Sequence, residues 1–179
     1  MSLPAVTLVL GGARSGKSRY AEGLVEAAAP HATYIATAEP GDSEMAARIA
    51  AHRARRGEVG GGDFWRTVEA PLDLPGAIAR EAARERALLV DCLTLWLSNL
   101  LLTGNRIEPE ARSLCIALRE TAGPVVLVAN EVGLGLVPET ALGRRFRDDA
   151  GRLNQAVATL ADRVVFVAAG LPLVLKEAC

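Results

Sequence analysis

Residues 5–18 read Ala5-Val-Thr-Leu-Val-Leu-Gly-Gly-Ala-Arg-Ser-Gly-Lys-Ser18, an apolar run that passes directly into a complete G-x-x-x-x-G-K-[ST] loop. A helix-forming segment, Ser18 to Ala28, follows it. Strand, glycine loop and helix in this order are the context in which the loop cradles phosphate, with backbone N–H groups turned onto the anion at a helix N-terminus. The backbone must turn tightly and come close to its ligand, and a Cβ at Gly11 or Gly16 would block that path. Gly12, Ala13, Arg14 and Ser15 form the body of the cradle. Lys17 supplies a point charge for the β- and γ-phosphates, and Ser18 a hydroxyl for Mg²⁺. A bound nucleoside triphosphate is the first expectation.

Outward from this loop, short apolar runs recur at Thr33–Thr37, Ala87–Asp91, Val125–Asn130 and Val164–Ala168, with weaker ones at Trp65–Val68 and Leu171–Leu175. Helical patterns lie between them at Ser43–Arg56, Leu74–Glu85, Leu93–Leu102, Pro109–Glu120 and Arg144–Ala161. Runs that are apolar on both faces and alternate with helices predict a three-layer α/β fold around a mostly parallel sheet, with ligands at the carboxyl ends of the strands. At 179 residues and 50% hydrophobic content, residues 1–179 are expected to form a single domain with a proper core.

Composition narrows the function. A formal charge of −1 gives no general attraction to nucleic acid or to an anionic membrane. The greasiest stretch, Ala87 to Leu102, is broken by Asp91, Ser98 and Asn99, so no membrane span is expected. The first apolar run stops at the glycine loop, too early for a secretory signal. Cys92, Cys115 and Cys179 lack C-x-x-C spacing and read as reduced thiols, as in a cytoplasmic enzyme.

Three further constellations bear on chemistry. Asp91 ends a buried apolar run, where an acid either holds Mg²⁺ or caps the helix that follows; after the glycine loop the metal role is favoured. In Asp42 to Gly57, His52 shares a helix face with Met45 and Ile49, and Arg53, Arg55 and Arg56 crowd the last turn around Ala54. The dipole explains cations there, yet the same arginines suit a triphosphate and favour the neutral imidazole that can attack phosphorus. His31, after Pro30, reads as a loop residue. Asn130 and Glu131 emerge from a buried run ahead of closely spaced glycines, a position at the ligand edge of the sheet. The basic segment Arg144 to Gln155 suits either phosphate or a solvated helix face.

Taken together, Gly11–Ser18, Tyr34-Ile-Ala-Thr-Ala38, Glu44 to Arg53, Trp65-Arg-Thr-Val-Glu69, Asp91-Cys-Leu-Thr94, Asn130 to Pro138 and Phe146 to Gln155 resemble the bifunctional adenosylcobinamide kinase / adenosylcobinamide-phosphate guanylyltransferase family of cobalamin biosynthesis. The resemblance implies a RecA-like P-loop NTPase fold, a homotrimer, and ATP or GTP and a corrinoid as substrates. It implies that His52 is guanylylated, and that the glycine loop, Thr37, Ala38, Glu39, Arg53 to Arg56, Glu69 and Asp91 contact guanine nucleotide. Residues 57–63 are longer than the family's usual connection, which fits a mobile catalytic helix. A P-loop small-molecule kinase without a covalent histidine, and a RecA-like nucleotide-dependent binding module, are the alternatives. Lys17→Ala should abolish most triphosphate turnover and leave the unliganded melting temperature within a few degrees, because the charge is expected to serve the ligand and not a core group; activity assays beside a thermal melt check this.

Overall fold

The computed structural model describes residues 3–39 and 63–177, together with Ala50, Ala54 and Gly57, which are helical and exposed. The chain runs β1 (Val6–Gly11), α1 (Lys17–Ala28), β2 (Ala32–Ala36), β3 (Trp65–Glu69), α2 (Leu74–Glu81), β4 (Ala87–Asp91), α3 (Leu93–Leu102), α4 (Ile107–Arg119), β5 (Val125–Asn130), α5 (Ala141–Leu160), β6 (Arg163–Ala168) and β7 (Leu171–Glu177). The strands form one seven-stranded sheet in the order β3-β2-β4-β5-β1-β6-β7. All pairings are parallel except that of β6 with β7.

Side-chain alternation sorts the strands between two layers. Val9, Leu89, Val126, Val128, Val165 and Val167 face one side and pack with Ala21 and Val25 of α1. Leu8, Leu10, Leu88, Val90, Leu127 and Ala129 face the other, against Ile78 of α2, Trp96 and Leu97 of α3, Leu114 of α4 and Leu153 of α5. Burial on both faces is why these strands read as unbroken apolar runs. β7 differs: all seven of its residues are exposed, and Pro172 suits it to an edge.

Local chemistry sets the helix ends. Asp73 caps α2 by accepting from the Gly76 N–H at 3.0 Å, with a proline in the first turn, and Thr140 caps α5 by accepting from the Gly143 N–H at 3.0 Å. α2 stops at Glu81, short of the Glu85 expected from the sequence, because Ala83 and Arg86 bridge to each other in a turn. α5 begins at Ala141, earlier than Arg144, because Thr140 supplies its cap. The expected helix Ser43–Arg56 lies, Ala50 and Ala54 apart, outside the described residues. Among the described residues no helix is long and apolar enough to cross a membrane.

Leu89 is fully buried in β4 beneath α1. Leu89→Ala should cost about 2–5 kcal/mol, read as a lower denaturant midpoint with an unchanged slope.

Candidate functional site

The chain leaves the sheet at Gly11 and re-enters as helix at Lys17. Arg14 and Gly16 take the left-handed conformation within the turn, at φ 56° and 93°. The Gly16 carbonyl accepts from the Tyr20 N–H at 2.9 Å, so α1 begins with its amide groups open toward the loop. A Cβ on Gly11 would lie 2.5 Å from Ser15 Oγ and 2.6 Å from the Val167 carbonyl oxygen. One on Gly16 would lie 3.2 Å from Gly170 Cα, in a backbone conformation that side chains avoid. Nothing crowds Gly12. Two bonds brace the loop from outside: the Gly170 N–H donates to the Ser15 carbonyl at 2.8 Å, and the Glu131 N–H to the Gly11 carbonyl at 3.1 Å. Inside it, Lys17 is buried and its Nζ donates to the Gly12 carbonyl at 3.0 Å. The ammonium is thus held over the cradle.

Asp91 ends β4, and β5 alone separates that strand from β1. By alternation Gly11, Asp91 and Asn130 all belong to the α1 face, where Lys17 and Ser18 open the helix. Asp91 does not cap α3: that helix starts at Leu93, and its cap position, Cys92, makes no side-chain capping bond. Burial, reinforced by the Asp91 charge, pushes the Cys92 thiol up to about 11, with Lys17 pulling the other way. The thiol therefore stays protonated at neutral pH and serves as packing, as the scattered cysteines suggest. Cys115 is also a free thiol.

The Thr37 hydroxyl ties the ends of β2 and β4 together. It donates to the Cys92 carbonyl at 2.7 Å and accepts from the Cys92 N–H at 2.8 Å, fully buried. Asn99 Nδ2 donates to the carbonyls of Thr37 and Pro71, at 2.8 and 3.0 Å. Trp96 Nε1 donates to the Leu72 carbonyl at 2.8 Å. Ala38 and Glu39 follow Thr37, half-buried and exposed, and Glu69 is exposed at the end of β3. Glu69 and the phosphate loop stand four strand spacings apart, roughly 19 Å along the sheet edge. Ala54 is exposed; His52, Arg53, Arg55 and Arg56 lie outside the described residues.

The arginines of α5 are already engaged. Arg144 Nη1 donates to the carbonyls of Pro138 and Glu139 at 3.1 and 2.6 Å, and Arg152 and Arg145 reach Asp149 at 2.7 and 3.5 Å. These contacts favour the solvated-face reading of that segment. The sequence alone points to no individual role for Thr94 and Asn99, and to Asn154 only as part of the basic segment Arg144 to Gln155. The signal for the first two was their polarity inside the otherwise apolar helix Leu93-Thr-Leu-Trp-Leu-Ser-Asn-Leu-Leu-Leu102.

A glycine loop between a central parallel strand and a helix, with an acid ending the next strand but one, defines a P-loop nucleotide-binding α/β protein. The family model described as cobinamide kinase / cobinamide phosphate guanyltransferase matches residues 7–175, and the chain belongs to that family. It is 52% identical to the bifunctional adenosylcobalamin biosynthesis protein CobP of Pseudomonas aeruginosa over 94% of this chain and 96% of that one. It is 42% identical to the protein CobU of Salmonella typhimurium, over 94% and 98%. Among solved structures, the flagellar accessory protein FlaH of Methanocaldococcus jannaschii superposes with a TM-score of 0.55 at 12% identity, over 99% of this chain and 80% of that one. That likeness is one of fold alone.

Thr37→Val should strip the buried Cys92 N–H of its acceptor and cost about 1–3 kcal/mol, with Thr37→Ser recovering most of it; thermal melts of the pair check the assignment.

Proposed function

We propose that this chain, acting as a single domain over residues 1–179, catalyses two successive transfers onto a corrinoid. In the first, the aminopropanol hydroxyl oxygen of adenosylcobinamide attacks the γ-phosphorus of ATP or GTP. The bond from γ-phosphorus to the bridging oxygen breaks, the nucleoside diphosphate leaves, and the hydroxyl proton is released. In the second, the neutral His52 imidazole attacks the α-phosphorus of GTP and pyrophosphate leaves. An oxygen of adenosylcobinamide phosphate then attacks the same phosphorus. The P–N bond breaks, His52 is regenerated and adenosylcobinamide-GDP is formed. A covalent intermediate divides a transfer between two anions into steps with one anionic attacker at most.

The observation that carries this reading is the phosphate loop with Lys17 held over it and Asp91 on the same face, within a chain that matches the family across residues 7–175. The loop amides from Gly12 to Gly16 and the Lys17 ammonium stabilise charge on the phosphoryl oxygens. Ser18 and Asp91 offer two hard oxygen donors. That set fits Mg²⁺, which takes few protein ligands and completes its octahedron with phosphate and water. When bound, the ion would neutralise charge on the bridging phosphates. Thr37 contributes by fixing the turn into Ala38 and Glu39, since its own hydroxyl is committed to Cys92. Glu69 lies at the far end of the edge and suits the nucleoside, and Arg53, Arg55 and Arg56 would supply charge for the phosphates, with Ala54 among the nucleotide contacts. On this reading the enzyme works in the cytoplasm as a homotrimer.

GTP labelled at the α-phosphate tests the reading. Wild-type protein should retain an acid-labile GMP adduct, and His52→Ala should lose it and slow guanylyl transfer roughly 10³-fold or more while keeping the kinase step. Turnover without any adduct in the wild type would reduce the protein to a kinase.

A further inference from the structure

Asn130 ends β5, the strand between the phosphate-loop strand and the Asp91 strand, and pairs in register with Gly11. It shares the α1 face with Gly11 and Asp91, which puts its side chain on the layer where Lys17 opens α1. Two buried side chains hold its backbone. Thr94 Oγ1 accepts from the Asn130 N–H at 2.7 Å, and Asn154 Nδ2 donates to the Asn130 carbonyl at 3.3 Å, each holder only 8% exposed. Burying two polar side chains is costly unless their bonds are made, so here two helices, α3 and α5, commit interior polar groups to one strand-end residue. Its own carboxamide, half-buried, makes no hydrogen bond among the described residues, which leaves two donors and an acceptor oxygen open. Its neighbour Glu131 is spent locally, accepting from the Gly133 N–H at 2.7 Å.

We infer that Asn130 is a catalytic residue of the kinase step. Its Nδ2 donates a hydrogen bond to an oxygen of the γ-phosphoryl group during transfer, and Thr94 and Asn154 are positioning residues that aim it. The inference rests on the phosphoryl-transfer reading above. A fixed neutral donor beside the cradle stabilises charge that spreads over the equatorial oxygens, without the reorganisation a mobile side chain would need. The α-phosphorus, attacked in the second transfer, lies two phosphates away from that oxygen, so guanylylation should depend on Asn130 far less.

The test measures kcat and KM for nucleotide in the kinase step, the rate of adduct formation with α-labelled GTP, and the melting temperature. Asn130→Ala should lower kcat roughly 10²-fold with KM for nucleotide within about threefold and adduct formation within about fivefold of wild type. Asn130→Asp, of the same shape but unable to donate when ionised, should fall at least as far, and it decides the matter if the alanine variant does not fold. Thr94→Val should lower kcat partway, and Thr94→Ser, which keeps the acceptor, should restore it. Wild-type kcat in Asn130→Asp, or an equal loss in both transfers, would overturn the inference. A wild-type protein that transfers no γ-phosphoryl group would overturn the reading beneath it, a result visible before any variant is made.

Discussion

The constraint on which the structure depends is the passage from a buried central strand to a helix within the five residues Gly12 to Gly16. The strand has no exposed edge, so the loop cannot relax sideways; it lies between the ends of β5 and β6 and must reach α1 on one face. Gly11 is closed in by Ser15 and the Val167 carbonyl, Gly16 by Gly170, and the amides at the start of α1 are left without intrahelical acceptors. An anion is the natural partner for those amides. Strand burial, loop shape and ligand class are thus one requirement.

Around that loop the carboxyl edge is built by side chains bonding to backbone. Thr37 joins β2 to β4, Asn99 fastens the ends of β2 and β3, and Thr94 and Asn154 fix the end of β5. Strand ends have no further ladder partners, so buried carbonyls and amides there must be satisfied by other means or pay a desolvation cost. Of these groups, the Thr94 acceptor and the Asn99 and Asn154 donors come from α3 and α5, which pack on the face opposite α1. The edge therefore holds its shape before any nucleotide arrives.

Much of this was legible in the sequence because the signals were local. β4 and β5 fall where their apolar runs fall, at Ala87–Asp91 and Val125–Asn130, and α3 spans Leu93–Leu102 as its pattern predicts. The glycine loop announced itself by residue type. Of the two readings open for Asp91, the helix cap is set aside because α3 starts at Leu93 with Cys92 at its cap position. The roles of Thr94, Asn99 and Asn154 were not legible, because each bonds a residue more than twenty positions away. The exposure of both faces of β7 was hidden as well: Leu171 to Leu175 has the composition of a core strand, and only the antiparallel turn at Ala169 and Gly170 places it at the edge.

That turn has a consequence in time. Gly170 props the loop at Ser15, and β1 is flanked by β5 and β6, so β1 leaves the ribosome well before the strands that pair with it. At about 5–20 residues per second, the 155 positions from Ser15 to Gly170 take roughly 8–30 seconds to make. Until β5 and β6 are made, Val6 to Leu10 is an apolar segment without its partners, the sort of stretch chaperones hold. The loop at Gly12 to Gly16 is therefore braced only after Gly170 has been made, although its own sequence is translated long before.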